Sequence, residues 1–426
     1  MAPDLRAATA GPRFKGLSPS TYGETFLRIL DRRPSLFDGT FSPPVGVLRG
    51  SALAHNIEVM GEFCRSRGVR LAPHGKTTLS PDLFDRQLAA GAWGITVATP
   101  AQAAFCRLAG IRRVLLANEL VDPAAVRWIA AQLTGDTSFD FMCYVDSVDG
   151  VRLIADALRR TPSPRPFDVL IEVGPVGGRT GCRTLEEARA VAQAVARSAG
   201  VRAVGVAGYE GGLGHEITED VLAHVRAFLG LVRATAQTLA DERLLADRGD
   251  GIVLSAGGSV FFDEVVTILA PALAGHASAC VLRSGAYVSH DVGHYEHLSP
   301  FTRPGASIPG GLRPALEVWG QVLSTPEPGL AIAGVGRRDV SFDLGMPVPQ
   351  RGWRPGCDAL FDTGACIVRD LNDQHAYMVV PDGADLRVGD WVSFGISHPC
   401  TAFDKWRLLV EVDDDYRVTG FVETFF

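Results

Sequence analysis

The stretch "DVLIEVGPVGGRTGCRTLEEARAVAQAVARSAGVRAVGVAGYEG", Asp168 to Gly211, holds one full structural period of the chain. It opens with a continuous β-rich apolar run, "DVLIEVG". A glycine-rich turn follows, with Arg179 inside it. "TLEEARAVAQAVARSAG" then repeats its apolar residues at spacings of three and four, the helical period. "AVGVAGYEG" returns to a β-rich run. Both runs are continuous rather than alternating, as expected for strands covered on both faces. Strand, helix and strand at this spacing specify parallel strands joined by helical crossovers.

The same texture extends from about Pro44 to Val292. The further runs are "PVGVLRG", "VRLAPHGK", "GITVAT", "RVLLANE", "FMCYVDS", "IVLSAGG" and "CVLRSGAYV". Helices such as "SALAHNIEVMGEFCRSRG" and "DVLAHVRAFLGLVRATAQTLA" lie between them. Nine runs are one too many for a (β/α)8 barrel. Counting from the run that carries Lys76 gives eight, and "PVGVLRG" then leads in from a neighbouring domain. The competing arrangement is an open, doubly wound sheet. The expectation is an α/β barrel over residues 44–304. After about Pro300, turn formers give way to short alternating segments, among them "LEVWGQVLS", "HAYMVV", "DWVSFGIS" and "WRLLVEVD". These read as a mostly antiparallel β domain over residues 305–426, joined by residues 1–43.

A chain of 426 residues with 46% apolar and 21% charged residues is that of a globular protein with a sizeable core. Its net charge of −7, without a basic stripe, argues against a nucleic-acid partner. "MAPDLRAATAGPRFKG" lacks the apolar block of a signal peptide, and no run is long enough to span a bilayer. A cytoplasmic location without membrane attachment is expected. Eight cysteines without a CxxC pair do not form a disulfide framework, and Cys64, Cys106 and Cys143 read as small core residues.

The chemistry-bearing residues gather at strand ends. In a parallel barrel, the C-terminal strand ends build the active site. Lys76, in "VRLAPHGKTTL", falls just past such an end. Desolvation there lowers an amine's pKa, and the neutral amine can form a Schiff base with a carbonyl. The alternative is a solvated loop lysine. "SAGGSVFFDE", with Gly257, Gly258 and Ser259, offers close backbone approach and helix-start N–H groups suited to a phosphate; a plain tight turn has the same look. Arg179 could hold an anionic oxygen or simply sit in an exposed loop. Tyr209 and Tyr287 end two strands, either capping the barrel or meeting a ring nitrogen or phosphate. In "GISHPCTAFDKW", His398 and Cys400 share one face of an extended segment. Imidazole and thiolate together favour zinc, against a chance pair in a loop.

Together these pieces resemble the D-serine dehydratase and D-threonine aldolase-like group of fold-type III pyridoxal-phosphate enzymes. "PHGKT", Pro73 to Thr77, is similar to the family's lysine motif, and "HPC", His398 to Cys400, to its metal motif. "HNI" at His55 to Ile57 and "LNDQHAYM" at Leu371 to Met378 match two further stretches. Ala72, Thr78 and Leu79 depart from basic residues usual in the family. The resemblance implies an alanine-racemase-like barrel followed by a β domain, and a homodimer. It implies pyridoxal phosphate held covalently by Lys76, with His74 from the same motif beside it. Gly257, Gly258 and Ser259 would take the phosphate, Arg179 the phenolic oxygen, and Tyr209 and Tyr287 the ring or phosphate. His398 and Cys400 would bind zinc, with manganese as the alternative ion and His375 as a further candidate ligand.

The implied activity is a D-amino-acid ammonia-lyase, removing the β-hydroxyl of a D-3-hydroxy amino acid to give a 2-oxo acid and ammonia. D-threonine aldolase-type cleavage to glycine and an aldehyde is the alternative. An amino-acid racemase and a non-catalytic pyridoxal-phosphate carrier rank lower.

Overall fold

The computed structural model describes residues 5–161, 165–303, 308 and 310–426. The first β-rich run forms β1 (Val45–Arg49), and it does not join the parallel strands. Those are β2 (Arg70–Leu71), β3 (Ile95–Val97), β4 (Arg113–Glu119), β5 (Asp140–Val145), β6 (Phe167–Val173), β7 (Val201–Gly208), β8 (Ile252–Ala256) and β9 (Ser278–Leu282). They form one eight-stranded sheet in the order β2-β9-β8-β7-β6-β5-β4-β3, every pair parallel.

The two ends of that order meet, which decides barrel against open sheet. Trp93 N–H donates to Leu71 O at 2.6 Å, and Thr96 N–H to Pro73 O at 2.9 Å. Thr96 Oγ1 adds a bond to Ala72 O at 2.6 Å. The ring therefore closes just past the short β2. Ala72, Leu115, Met142, Tyr144, Leu170, Val204, Ala207, Val253 and Val281 pack as one buried cluster from the strands. Burying such apolar surface stabilises the ring by roughly 25 cal/mol per Å². Gly205 is required by closeness: a Cβ there would lie 1.9 Å from Val253 O on the neighbouring strand. Thr99, Asp122, Ser147, Thr184 and Thr218 cap the helices that follow five of the strands, each accepting from a backbone N–H of the first turn. The caps stop each strand-to-helix turn at a defined residue and so set where the mouth loops end.

The second sheet comprises β1, β10 (Leu316–Glu327), β11 (Leu330–Ala333), β12 (Val348–Trp353), β13 (Leu360–Asp362), β14 (Ile367–Leu371), β15 (Ala376–Val379), β16 (Trp391–Gly395), β17 (Leu408–Val412) and β18 (Val418–Glu423). Its main order is β13-β12-β16-β10-β1-β17-β18. Among the described ladders of this second sheet, only the β1–β17 pair is parallel. Sequence patterning passes over β12 and β13. "VPQRGW" carries a proline, a glycine and an arginine, and Pro349 sits beside a register shift against β16.

The chain divides into two compact units. One holds Met60–Lys76 and Gln87–Gly285; the other holds the chain up to Val59, Thr77–Arg86 and Ala286–Phe426. The second unit has its own core, in which Phe14, Phe26, Ile29 and Phe41 pack with Val45, Trp319, Trp391 and Tyr416. The boundary read at residue 304 lies outside the described residues. Among the described residues, no helix is long and apolar enough to cross a membrane.

Candidate functional site

Within the barrel unit, the sequence-marked residues sit at the C-terminal strand ends. The β2–β9 ladder stops at Leu71, and a 3-10 turn, Gly75–Thr77, carries Lys76 beyond it. Lys76 is one of only three lysines in the sequence. Its side chain is exposed, which corrects the expectation of an amine already buried. The physical reason is local: the lysine rides on a turn past the end of the ladder.

His74 lies one step earlier, bridged to Thr96. A Cβ on Gly285 would come within 2.6 Å of His74 O, so the chain leaving β9 crosses closely against it. The His74 Nδ1 is buried with no hydrogen-bond partner among the described residues. Burial holds the imidazole well below the usual histidine range, helped by the positive charges of Lys76, Arg283 and Arg179. It is therefore neutral, with an unused ring nitrogen.

Arg283, at the end of β9, is buried. It donates to Ser255 Oγ and Gly208 O, both at 2.7 Å. Arg179 lies in the exposed loop after β6, with its guanidinium 5.0 Å from the centre of the Tyr209 ring. Arg179 and Tyr209 are thus brought together across two strand ends. Tyr209 is itself exposed.

The glycine turn after β8 departs from the expected arrangement. Gly257 has a φ of +116°, which favours glycine. Its N–H and that of Gly258 both donate to the buried Glu210 carboxylate, at 3.1 and 2.6 Å. Two amides expected to face a phosphate are thus occupied by a side chain of the neighbouring strand end. Burying a carboxylate demands such donors. Ser259, the next residue, is half-buried.

Sequence reasoning missed Glu210, and it missed a second feature. Glu119, Asp146 and Glu172, at the ends of β4, β5 and β6, bring one oxygen each within 4.8 Å of one another. Both Glu119 oxygens and one Glu172 oxygen are buried without a hydrogen-bond donor among the described residues. Burial, then the adjacent Glu172 and Asp146, pushes the Glu119 carboxyl up to about 9. "ANE", "VDS" and "IEV" showed the acidic residues at strand ends, but only the parallel pairing of β4, β5 and β6 places them together.

A stability prediction follows. Folded Glu119 keeps its proton between its ordinary value of 4.5 and about 9, while the unfolded chain releases it. The folded state then binds more protons, so stability falls as pH rises through that window. Glu119→Gln is expected to flatten the decline in melting temperature over that window. Equal slopes for the variant and the parent protein would refute this.

In the second unit, Tyr287 is buried within the turn Ala286–Val288. His398 and Cys400 follow β16, and Cys400 begins a short helix, Cys400–Phe403. His398 Nδ1 lies 2.5 Å from Asp343 Oδ2. Cys400 Sγ lies 3.2 Å from Thr77 Oγ1. Burial disfavours charge on His398, but its hydrogen bond with Cys400, the Cys400 charge and Asp343 outweigh this and push it up to about 9. His375 is exposed between β14 and β15 and belongs to no group of three potential metal ligands among the described residues.

These residues fit the implied groups. A strand-end lysine, an orphaned neutral imidazole and the cations Arg179 and Arg283 suit an anionic aromatic aldehyde. An imidazole and a thiol two residues apart, with the ring's Nδ1 set against a carboxylate, suit a soft divalent ion.

Comparison with known proteins adds the following. Residues 48–246 match the family model "Alanine racemase, N-terminal domain", and residues 315–412 match "Putative serine dehydratase domain". The chain is 26% identical over 361 residues to a D-threonine aldolase from an Arthrobacter species, covering 84% of this chain and 86% of that one. It is 32% identical over 142 residues to a D-threo-3-hydroxyaspartate dehydratase from Delftia sp. strain HT23, covering 33% and 36%. The solved structure of a D-threonine aldolase from Filomicrobium marinum superposes with a TM-score of 0.76 at 25% identity, covering 90% of this chain and 95% of that one.

Proposed function

We propose, for a chain that belongs to the fold-type III pyridoxal-phosphate enzymes in which an alanine racemase N-terminal domain precedes a serine dehydratase-like domain, a D-3-hydroxy amino acid ammonia-lyase. The chain is a pyridoxal-phosphate-dependent lyase, and its substrate is a small D-amino acid. Loss of the β-hydroxyl as water, followed by hydrolysis, leaves a 2-oxo acid and ammonia. The observation that carries elimination is Cys400, which stands two residues from His398 just past β16. That donor pair is soft and suits zinc, whereas oxygen donors would suit manganese.

Lys76 would hold the cofactor covalently, and its Nζ would serve as the base for the Cα proton. Pyridoxal phosphate, when bound, would supply the electron sink at Cα, and His398 and Cys400 would hold a zinc ion whose Lewis acidity helps a hydroxyl that leaves poorly at neutral pH. His74, neutral at Nδ1, meets the cofactor without adding charge. Arg179, set against the Tyr209 ring, holds the phenolic oxygen. With the Gly257 and Gly258 amides taken by Glu210, Ser259 would take the phosphate, with Tyr209 as a further donor. The working form is a homodimer.

Retro-aldol cleavage is the second reading. It is favoured by the D-threonine aldolase that aligns with 84% of the chain. Products separate the two. Purified enzyme given a panel of D-3-hydroxy amino acids is expected to release ammonia and 2-oxo acid in equal amounts. Glycine and an aldehyde in their place would establish cleavage and refute elimination.

A further inference from the structure

We infer that Asp343 is a positioning residue of the metal site: its carboxylate holds His398 in the tautomer protonated at Nδ1 and so turns the Nε2 lone pair toward the ion. The inference rests on the reading of His398 and Cys400 as metal ligands.

The geometry begins with two chain segments fastened together. His398 N–H donates to Ser341 Oγ at 3.3 Å, and Ser397 Oγ donates to Gly345 O at 2.6 Å. Between these fixed points, Asp343 Oδ2 lies 2.5 Å from His398 Nδ1. The other carboxylate oxygen, Oδ1, accepts from Thr401 Oγ1 at 2.7 Å. Asp343 is thus oriented from both sides, by Thr401 and by the bonds that fasten residues 341–345.

An ionised carboxylate only accepts hydrogen bonds. The nitrogen facing it must therefore carry the hydrogen, and the ring's other nitrogen keeps its lone pair. A carboxylate so placed fixes ring orientation and raises the basicity of the ligating nitrogen. Asp343 is not itself placed as a ligand. Both of its oxygens have partners, and it forms no group of three potential ligands with His398 and Cys400 among the described residues.

The test uses full-length enzyme with pyridoxal phosphate bound, stripped of metal and titrated with zinc against a fluorescent chelator. His398→Ala is the reference for loss of a ligand. Asp343→Ala is expected to weaken zinc binding about 10- to 100-fold. Asp343→Asn should lose less, because its amide oxygen still accepts from Nδ1, and it serves as the readable variant if the alanine protein fails to fold. Nitrogen-15 spectra of histidine-labelled, metal-free enzyme, recorded above about pH 9 where the His398 ring is neutral, should show it protonated at Nδ1, and Asp343→Ala should mix the tautomers. Unchanged zinc affinity in both Asp343 variants, with His398→Ala impaired, would overturn this inference and leave the metal reading standing. Equal zinc affinity in the parent protein and His398→Ala would sink both.

Discussion

Lys76→Ala is expected to abolish turnover, lowering it by at least about a thousandfold, because one amine both anchors the cofactor and serves as base. Few competitors exist. The other two lysines are Lys15 and Lys405. Lys15 donates to Asp339 Oδ1 at 2.8 Å and lies over the Trp406 ring, while Lys405 pairs with Asp404. Neither stands at the end of a barrel strand. Borohydride reduction of the loaded enzyme, followed by peptide mapping, should place the pyridoxyl label on the peptide containing residue 76. A label on Lys15 or Lys405, or a fully active alanine variant, would remove the basis of the proposed chemistry. The exposure of Lys76 adds a second expectation: in cofactor-free enzyme it should react readily with a water-soluble amine reagent, and bound pyridoxal phosphate should protect it.

Removal of metal, or His398→Ala or Cys400→Ala, is the second large effect expected. Lewis-acid stabilisation of a departing hydroxyl is worth several kcal/mol, so turnover should fall on the order of 10²- to 10⁴-fold. Pyridoxal absorbance should persist, since no metal ligand lies among the residues that would hold the cofactor. Added zinc should restore the chelated parent protein but not the His398 variant. Normal turnover after complete chelation would refute a metal role in the reaction. Loss of the cofactor band on chelation would contradict the separation of the two functions.

The two effects are distinguishable by their readouts. Lys76→Ala should leave zinc stoichiometry unchanged while losing covalent cofactor. His398→Ala should do the reverse. Glu119→Gln should leave both intact, because its effect is on the pH dependence of stability.

Several of these features were legible in the residues alone. The repeated strand and helix periods give parallel crossovers because side-chain direction follows local backbone geometry. "PVGVLRG" could be set apart by counting, and the structure pairs β1 with β10 and β17 in the second sheet. Lys76, Arg179 and Tyr209 could be placed at strand ends, since each follows a β-rich run directly. The His398 and Cys400 pair was visible as residue types two apart, but the extended segment expected there is not: Pro399 is helical and Cys400 begins a helix. By contrast, β12 escaped notice because Pro349 and Gly352 break its pattern, and its stability comes from ladder partners on β13 and β16.

What the sequence by itself determined was the kind of element at each place, because propensity and periodicity act over a few neighbouring residues. Only the tertiary structure decided which distant groups meet. Pairing of β7 with β8 put Glu210 under the amides of Gly257 and Gly258, and pairing of β4, β5 and β6 gathered Glu119, Asp146 and Glu172 from three strand ends. Folding of the second unit set Asp343 against His398, 55 residues away. Such pairings depend on register and packing summed over whole sheets, and no short stretch of chain encodes them.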